Sequence, residues 1–156
     1  MDNLDLHRFN GLEQYEAECR YRLYDEAGVS YLALCVKGIT CIQTLEDSRN
    51  LNGKPHLEIR FPLTTITSVA KDTVLTIAES PATPDLSNYS NFYYLEHQPV
   101  KSAVLRVTDS NNGQLTLDIT VAVSDPVFYD GTKPDAVIHI TGTFTESDKK
   151  GSWDIF

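Results

Sequence analysis

Long apolar runs, positive charge and cysteine are all scarce in this sequence of 156 residues. The longest unbroken apolar run extends from Tyr31 to Val36, whereas a membrane-spanning helix needs about 20 apolar residues. Residues 1–8 include two aspartates and have no apolar stretch, so we expect no secretory signal. These absences exclude a transmembrane-helix protein and favour a cytoplasmic one.

Basic residues are outnumbered by acidic ones, 13 against 22, which gives a formal net charge of −9. A negative surface repels nucleic-acid phosphates and anionic lipid headgroups. The sequence therefore predicts neither a nucleic-acid partner nor a membrane partner. The charge either keeps the protein in solution or attracts a basic protein partner.

Cysteine occurs only three times, which does not suit a framework of paired disulfides and indicates a reducing compartment. Cys35 and Cys41 flank Gly38, a spacing that invites a disulfide or a metal site. If Lys37 and Gly38 form a tight turn, the two sulfurs lie on opposite faces of the hairpin and are too far apart to bond. We interpret these two cysteines and Cys19 as small core residues.

What the sequence does contain is the alternation of apolar and polar residues that is typical of β-strands. In residues 13–24 the side chains of Tyr15, Cys19 and Tyr21 share one parity, with charged residues between them. Residues 114–123 alternate in the same way after the turn at 109–113. Further strands are predicted within residues 29–45, 57–63, 73–79, 104–107 and 136–144. Gly38 marks either a tight turn or a bulge in one long strand.

These patterns predict a single all-β domain over residues 1–156, an antiparallel β-sandwich or β-barrel of seven to nine strands. One exception is expected near residues 84–94. Thr83 precedes Pro84 as a helix cap would, and Leu86, Tyr89 and Tyr93 follow at helical spacing. We therefore predict one short helix or helical turn there.

No catalytic signature is present: the chain has no glycine-rich phosphate loop and no nucleophile elbow. His7, His56, His97 and His139 are far apart, and no two have the spacing of metal ligands on one strand. The stretch from Asp109 to Gly113 departs from a calcium-binding loop in its glycine position and lacks the closing glutamate. The sequence therefore predicts no catalytic residue, no metal site and no cofactor, and it favours a non-catalytic role.

The candidate binding residues lie mainly in one aromatic segment. Tyrosine combines apolar area with a polar tip, which suits interfaces and ligand pockets. The same aromatic turn could instead be a plug that covers the open end of a barrel or sandwich. The candidates are Tyr89, Phe92, Tyr93, Tyr94, Glu96 and His97, together with Glu16 and Glu18 as part of an acidic surface.

Two functions follow as hypotheses. The first is a protein-binding module that holds a basic partner on an acidic surface, as bacterial immunity proteins and inhibitors do. The alternative is a small-ligand-binding β-barrel, either a lipocalin-like carrier or a small barrel enzyme. In that case the aromatic segment would cover a cavity lined by Tyr21, Tyr31 and the face from Leu115 to Val123. Assembly through edge strands is a third, weaker alternative.

Overall fold

The computed structural model describes residues 2–48, 54–63, 69–78, 90–94, 96–128 and 130–147. In these ranges the chain forms ten β-strands and one 3₁₀ turn. The strands are β1 (Asp2–Arg8), β2 (Gly11–Glu26), β3 (Val29–Gln43), β4 (His56–Pro62), β5 (Val74–Ala78), β6 (Asn91–Tyr94), β7 (Glu96–Pro99), β8 (Ser102–Asn111), β9 (Gln114–Val123) and β10 (Ala136–Glu146), and the 3₁₀ turn is Glu46–Ser48. The predicted all-β fold class is confirmed.

The strands form one sheet in the order β5-β8-β9-β10-β1-β2-β3-β4-β6-β7. Neighbouring strands pair antiparallel. The two ends of this order, β5 and β7, are not paired with each other in the described part, so the sheet is open. It nevertheless curls far enough for β4 to approach β5.

Strand alternation gives the sheet an inner and an outer face. The inner residues of nine strands, among them Leu6, Tyr21, Leu117 and Phe144, form one apolar cluster. In β9 every odd residue from Leu115 to Val123 is buried and every even residue is partly or fully exposed. This is the pattern expected of strands with one face in the core and the other in solvent.

Strand β1 lies between β10 and β2 and pairs with both. The sequence prediction did not include this strand. Beyond Asp2, where β1 begins, β10 and β2 pair directly and in parallel, with Thr145 opposite Arg20. Gly142 is required here, because a Cβ atom at this position would overlap the carboxylate of Asp2, which accepts a hydrogen bond from the backbone N–H of Thr143.

Two details differ from the sequence predictions. Residues 91–94 form strand β6 rather than part of a helical turn, because Phe92 and Tyr94 are both buried while Tyr93 between them is exposed. Residues 84–89 lie outside the described ranges. With β1 and the β6–β7 hairpin included, the strands number ten in these ranges rather than seven to nine.

Gly38 lies inside one continuous strand, so the bulge alternative is confirmed and the tight turn is wrong. The β2–β3 register shifts on either side of Tyr15 and Glu16. All three cysteines are free. Cys19 and Cys35 are buried as predicted, but Cys41 is exposed, because it lies beyond Gly38 in the part of β3 that the core does not cover.

Candidate functional site

The outer face of β3, β4 and β6 brings together side chains from three distant parts of the chain. In β4, Leu57 and Ile59 point into the core, so His56 and Glu58 point outward. Cys35 of β3 lies directly opposite Glu58 in the β3–β4 register. On the other side of β4, Tyr93 lies opposite His56 and Asn91 lies opposite Glu58.

Cys35, His56 and Glu58 form a compact cluster of potential metal ligands. The Sγ atom of Cys35 is 3.0 Å from Nε2 of His56. The same ring nitrogen is 3.5 Å from Oε1 of Glu58. One ligand atom from each residue lies within 4.8 Å of the others. A thiol, an imidazole and a carboxylate are all ligand types for zinc.

A pocket of about 310 Å³ opens beside this cluster and is lined by His56, Glu58, Asn91 and Tyr93. The side chains of His56 and Glu58 are 35% and 29% exposed, so solvent reaches both. Cys35, by contrast, is only 1% exposed. The cluster therefore has a buried sulfur ligand and two ligands that face the pocket.

The electrostatic surroundings of Cys35 favour a neutral thiol in the absence of a cation. Burial raises the pKa of Cys35 well above its usual range, and the nearby carboxylate of Glu58 acts in the same direction. Cys19, which lies in the core on the other face of the sheet, has a pKa that burial raises in the same way.

A layer of aromatic and arginine side chains extends the outer face beyond the cluster. Tyr24 and Tyr31 stack with ring centroids 5.5 Å apart, and the guanidinium of Arg60 lies 4.4 Å from the centroid of the Tyr31 ring. Arg60 also donates hydrogen bonds of 2.8 Å to Tyr24 and Glu26. Tyr31 and Arg60 are each only 4% exposed, so this layer presents mainly Tyr24 and Glu26 to solvent.

A second polar cluster is largely enclosed, and of its four charged residues Asp47 is the one that reaches solvent, with 29% of its side chain exposed. Arg8 donates bidentate hydrogen bonds to Asp125 and to Asp47, and a further one to Glu13. The side chains of Arg8, Glu13 and Asp125 have no exposed surface. The Arg8 guanidinium lowers the pKa of Asp47, chiefly through its hydrogen bond. This cluster connects β1 and β2 with the 3₁₀ turn and the segment after β9.

The Glu13 carboxylate also joins this enclosed cluster to two tyrosines. It accepts hydrogen bonds from Ser48 and from Tyr94. The hydroxyl groups of Tyr94 and Tyr15 are 2.5 Å apart. Burial raises the pKa of Tyr15 to about 12 and the pKa of Tyr94 further still. Because its acceptors and donors are satisfied within the protein, we assign this cluster a structural role.

The structure separates the residues of the predicted aromatic site. Phe92 and Tyr94 are buried in the core, whereas Tyr93 is 37% exposed and lines the pocket. The backbones of Glu96 and His97 pair with Tyr94 and Tyr93. Tyr89 lies outside the described residues.

The two predicted acidic residues of β2 have basic residues as neighbours on the same face. Glu16 and Glu18 share the outer face of β2 with Arg20 and Arg22, and Glu18 forms a salt bridge of 2.9 Å with Arg20. Lys37 lies opposite Glu18. This face therefore carries mixed charge rather than a purely acidic one.

The acidic loops of the C-terminal half have local roles. Asp125 binds Arg8, Asp130 accepts hydrogen bonds from Thr132, and Asp135 pairs with Lys101. The stretch from Asp109 to Gly113 closes the predicted β8–β9 hairpin, with positive φ angles at Asn112 and Gly113. On the outer face, His139 lies 2.8 Å from Asp118 of the neighbouring strand.

The residues expected to line a ligand cavity do not face one space. Tyr21 and the odd residues from Leu115 to Val123 belong to the apolar core. Tyr31 lies on the outer face, where it stacks on Tyr24. The sheet therefore separates Tyr31 from the other proposed lining residues.

The cluster of Cys35, His56 and Glu58 was not predicted from the sequence, because its three potential ligands are of three different residue types and no pair of histidines or of cysteines marks it. A local signal existed: His56 and Glu58 are two residues apart in a strand, so both must point to one face. The contribution of Cys35 depends on the β3–β4 register across a long connection, and the local pattern does not specify that register.

Comparison of the chain with protein-family models, with curated protein sequences and with solved structures finds no match. Within the described ranges, no helix has the length and apolarity needed to cross a membrane.

Proposed function

We propose that the protein is a cytoplasmic, non-catalytic module that binds another protein through the outer face of β3, β4 and β6. The observation that carries this proposal is the position of Tyr93, an exposed aromatic side chain at the rim of a pocket. Such a side chain supplies apolar contact area and a hydroxyl group to a partner. Tyr24, a partly exposed tyrosine on the same face of the neighbouring strand β2, adds a residue type common in interface centres.

A basic protein is the partner that the charge of the molecule favours. The net charge of −9 attracts a cationic surface over a distance of several ångströms and speeds association at low ionic strength. The mixed charges near the pocket supply specific pairs once the two surfaces meet. Three free cysteines agree with a reducing compartment.

The test compares two single substitutions of the full chain, Tyr93→Ala and Val137→Ala. Both residues are 37% exposed, but Val137 lies on β10, away from the pocket. Affinity capture from the native cell at low salt should retain a basic protein on the wild type and on V137A. We expect Y93A to weaken that binding by on the order of 2 kcal/mol, or about 30-fold in Kd.

Raised salt should weaken capture by the wild type as well, because the steering charges are screened. Equal retention of the same proteins by Y93A and V137A would contradict the proposal. So would a captured partner that is acidic and insensitive to salt.

A further inference from the structure

We infer that Cys35, His56 and Glu58 form a binding site for one divalent metal ion, and that zinc is the ion that fits best. This inference does not depend on the proposed protein partner. It rests on the type of the three ligands, their separations and the strand geometry that holds them.

The separations suit tetrahedral coordination. Zinc bonds of about 2.3 Å to sulfur and about 2.0–2.2 Å to nitrogen and oxygen imply ligand–ligand distances of roughly 3.4–3.6 Å. The Nε2 to Oε1 distance of 3.5 Å already matches. The Sγ to Nε2 distance is 3.0 Å, so a shift of about half an ångström admits the ion.

The chemical types of the ligands select the metal. Calcium and magnesium take oxygen ligands, whereas a thiolate together with an imidazole suits zinc. On binding, the Cys35 thiol loses its proton to solvent and its sulfur bonds the ion. His56 contributes the lone pair of unprotonated Nε2, and Glu58 contributes a carboxylate oxygen. No electron transfer is involved.

The geometry favours metal binding over a catalytic Cys–His–Glu relay. In a relay, the histidine faces the nucleophile with one ring nitrogen and the carboxylate with the other. Here Sγ of Cys35 and Oε1 of Glu58 both approach Nε2 of His56. The three groups therefore lie around one position that suits an ion. They do not have the linear order of thiol, imidazole and carboxylate that proton transfer in a relay requires.

The fold holds the three ligands in place. His56 and Glu58 are alternate residues of one strand, and the β3–β4 pairing fixes Cys35 opposite Glu58. The backbone N–H of Gly38 donates a hydrogen bond of 2.8 Å to the carbonyl of Pro55, next to His56. The adjacent pocket gives space for water as a fourth ligand, as in zinc sites with three protein ligands.

The test uses Co²⁺ as a spectroscopic probe and Zn²⁺ as its competitor, on the full chain purified without metal. We expect the wild type to bind one Co²⁺ with a thiolate-to-cobalt charge-transfer band in the near ultraviolet. Zn²⁺ should displace the cobalt and abolish the band. It should also raise the Tm, because the ion binds the folded state.

Substitutions at the site should remove these signals selectively. C35S should abolish the charge-transfer band, and H56A and E58Q should each weaken Zn²⁺ binding at least tenfold. E58Q serves as the variant least harmful to folding, because the Glu58 side chain is partly exposed. Thermal unfolding of each metal-free variant checks that it is folded.

Two matched controls decide the outcome. C41S removes the exposed cysteine of the same strand, and H139Q removes the histidine of the other outer-face His–carboxylate pair. Both should bind cobalt as the wild type does. Absence of a charge-transfer band in the wild type, its persistence in C35S, or unchanged Zn²⁺ affinity in folded E58Q would overturn the inference.

Discussion

Tyr93 and Tyr94 are adjacent in the chain but belong to different environments. Tyr93 is exposed at the pocket, whereas Tyr94 is buried and hydrogen-bonded to Glu13 and Tyr15. The alternation of side chains in a strand is sufficient to explain this difference. At the scale of single residues, the same amino acid is therefore accessible to a partner at one position and part of a buried hydrogen-bonded cluster at the next.

Removal of one hydroxyl group at each position separates the two roles. Tyr94→Phe leaves Glu13 and Tyr15 with one hydrogen bond fewer in a buried cluster, so we expect a loss of about 1–3 kcal/mol in the free energy of unfolding. Tyr93→Phe should change it by less than about 0.5 kcal/mol. Urea denaturation of both variants measures the difference, and equal losses would contradict the assigned roles.

At the scale of strands, the close approach of β3 and β4 depends on Gly38. A Cβ atom at this position would lie 3.0 Å from the carbonyl oxygen of Pro55 and 3.1 Å from its Cδ atom. These contacts are tighter than normal, and the Pro55 ring and backbone are rigid. A side chain at position 38 therefore pushes the start of β4, including His56, away from β3.

We expect Gly38→Ala to destabilise the fold by about 1–3 kcal/mol and to weaken Co²⁺ binding severalfold. Gly28→Ala is the matched control. Its φ angle of +80° also makes alanine unfavourable, but no heavy atom lies within 4 Å of the added Cβ. G28A should lose stability and keep its cobalt affinity. If both variants bind cobalt equally well, β4 does not depend on this contact.

Most strands could be predicted from the sequence because alternation is a local property. Residues 114–123 match β9, and residues 13–24 lie within β2. The short strand β1 was missed although Leu4 and Leu6 alternate with polar residues, because only a few residues carry that signal. The helical spacing of Tyr89 and Tyr93 led to the wrong prediction for residues 91–94. In β6 the alternation of buried Phe92 and Tyr94 with exposed Tyr93 is that of a strand.

The candidate site could be predicted only in part, for a different reason. The local pattern shows which side chains of a strand share a face, as it does for His56 and Glu58. It does not show which strand lies alongside or in which register, and Cys35 reaches the cluster only through that pairing. Tyr93 was predicted as a binding residue from the local cluster of aromatic residues, but its separation from Tyr94 depends on the strand alternation in β6.

At the scale of the whole molecule, β1 joins two groups of strands. On one side lie β5, β8, β9 and β10, and on the other β2, β3, β4, β6 and β7. Its pairing with β10 brings together opposite ends of the chain, with Leu6 opposite Ile138. Contacts so distant in sequence close a long loop and form at a high entropic cost. The apolar core beneath β1 must offset that cost.

This position makes Leu6 a sensitive test of how the sheet is held together. Leu6 has no exposed surface, and its replacement by alanine should cost about 2–5 kcal/mol in the free energy of unfolding. Leu23→Ala is the matched control, because the same atoms are removed from a side chain that is 45% exposed at the end of β2. Urea denaturation should show a large fall in the midpoint for L6A and a small one for L23A.

If one sheet and one core support the whole fold, L6A should lower the protection of amide hydrogens against exchange equally in β3 and in β9. Loss of protection confined to β1 and β10 would instead show that the two groups of strands unfold independently.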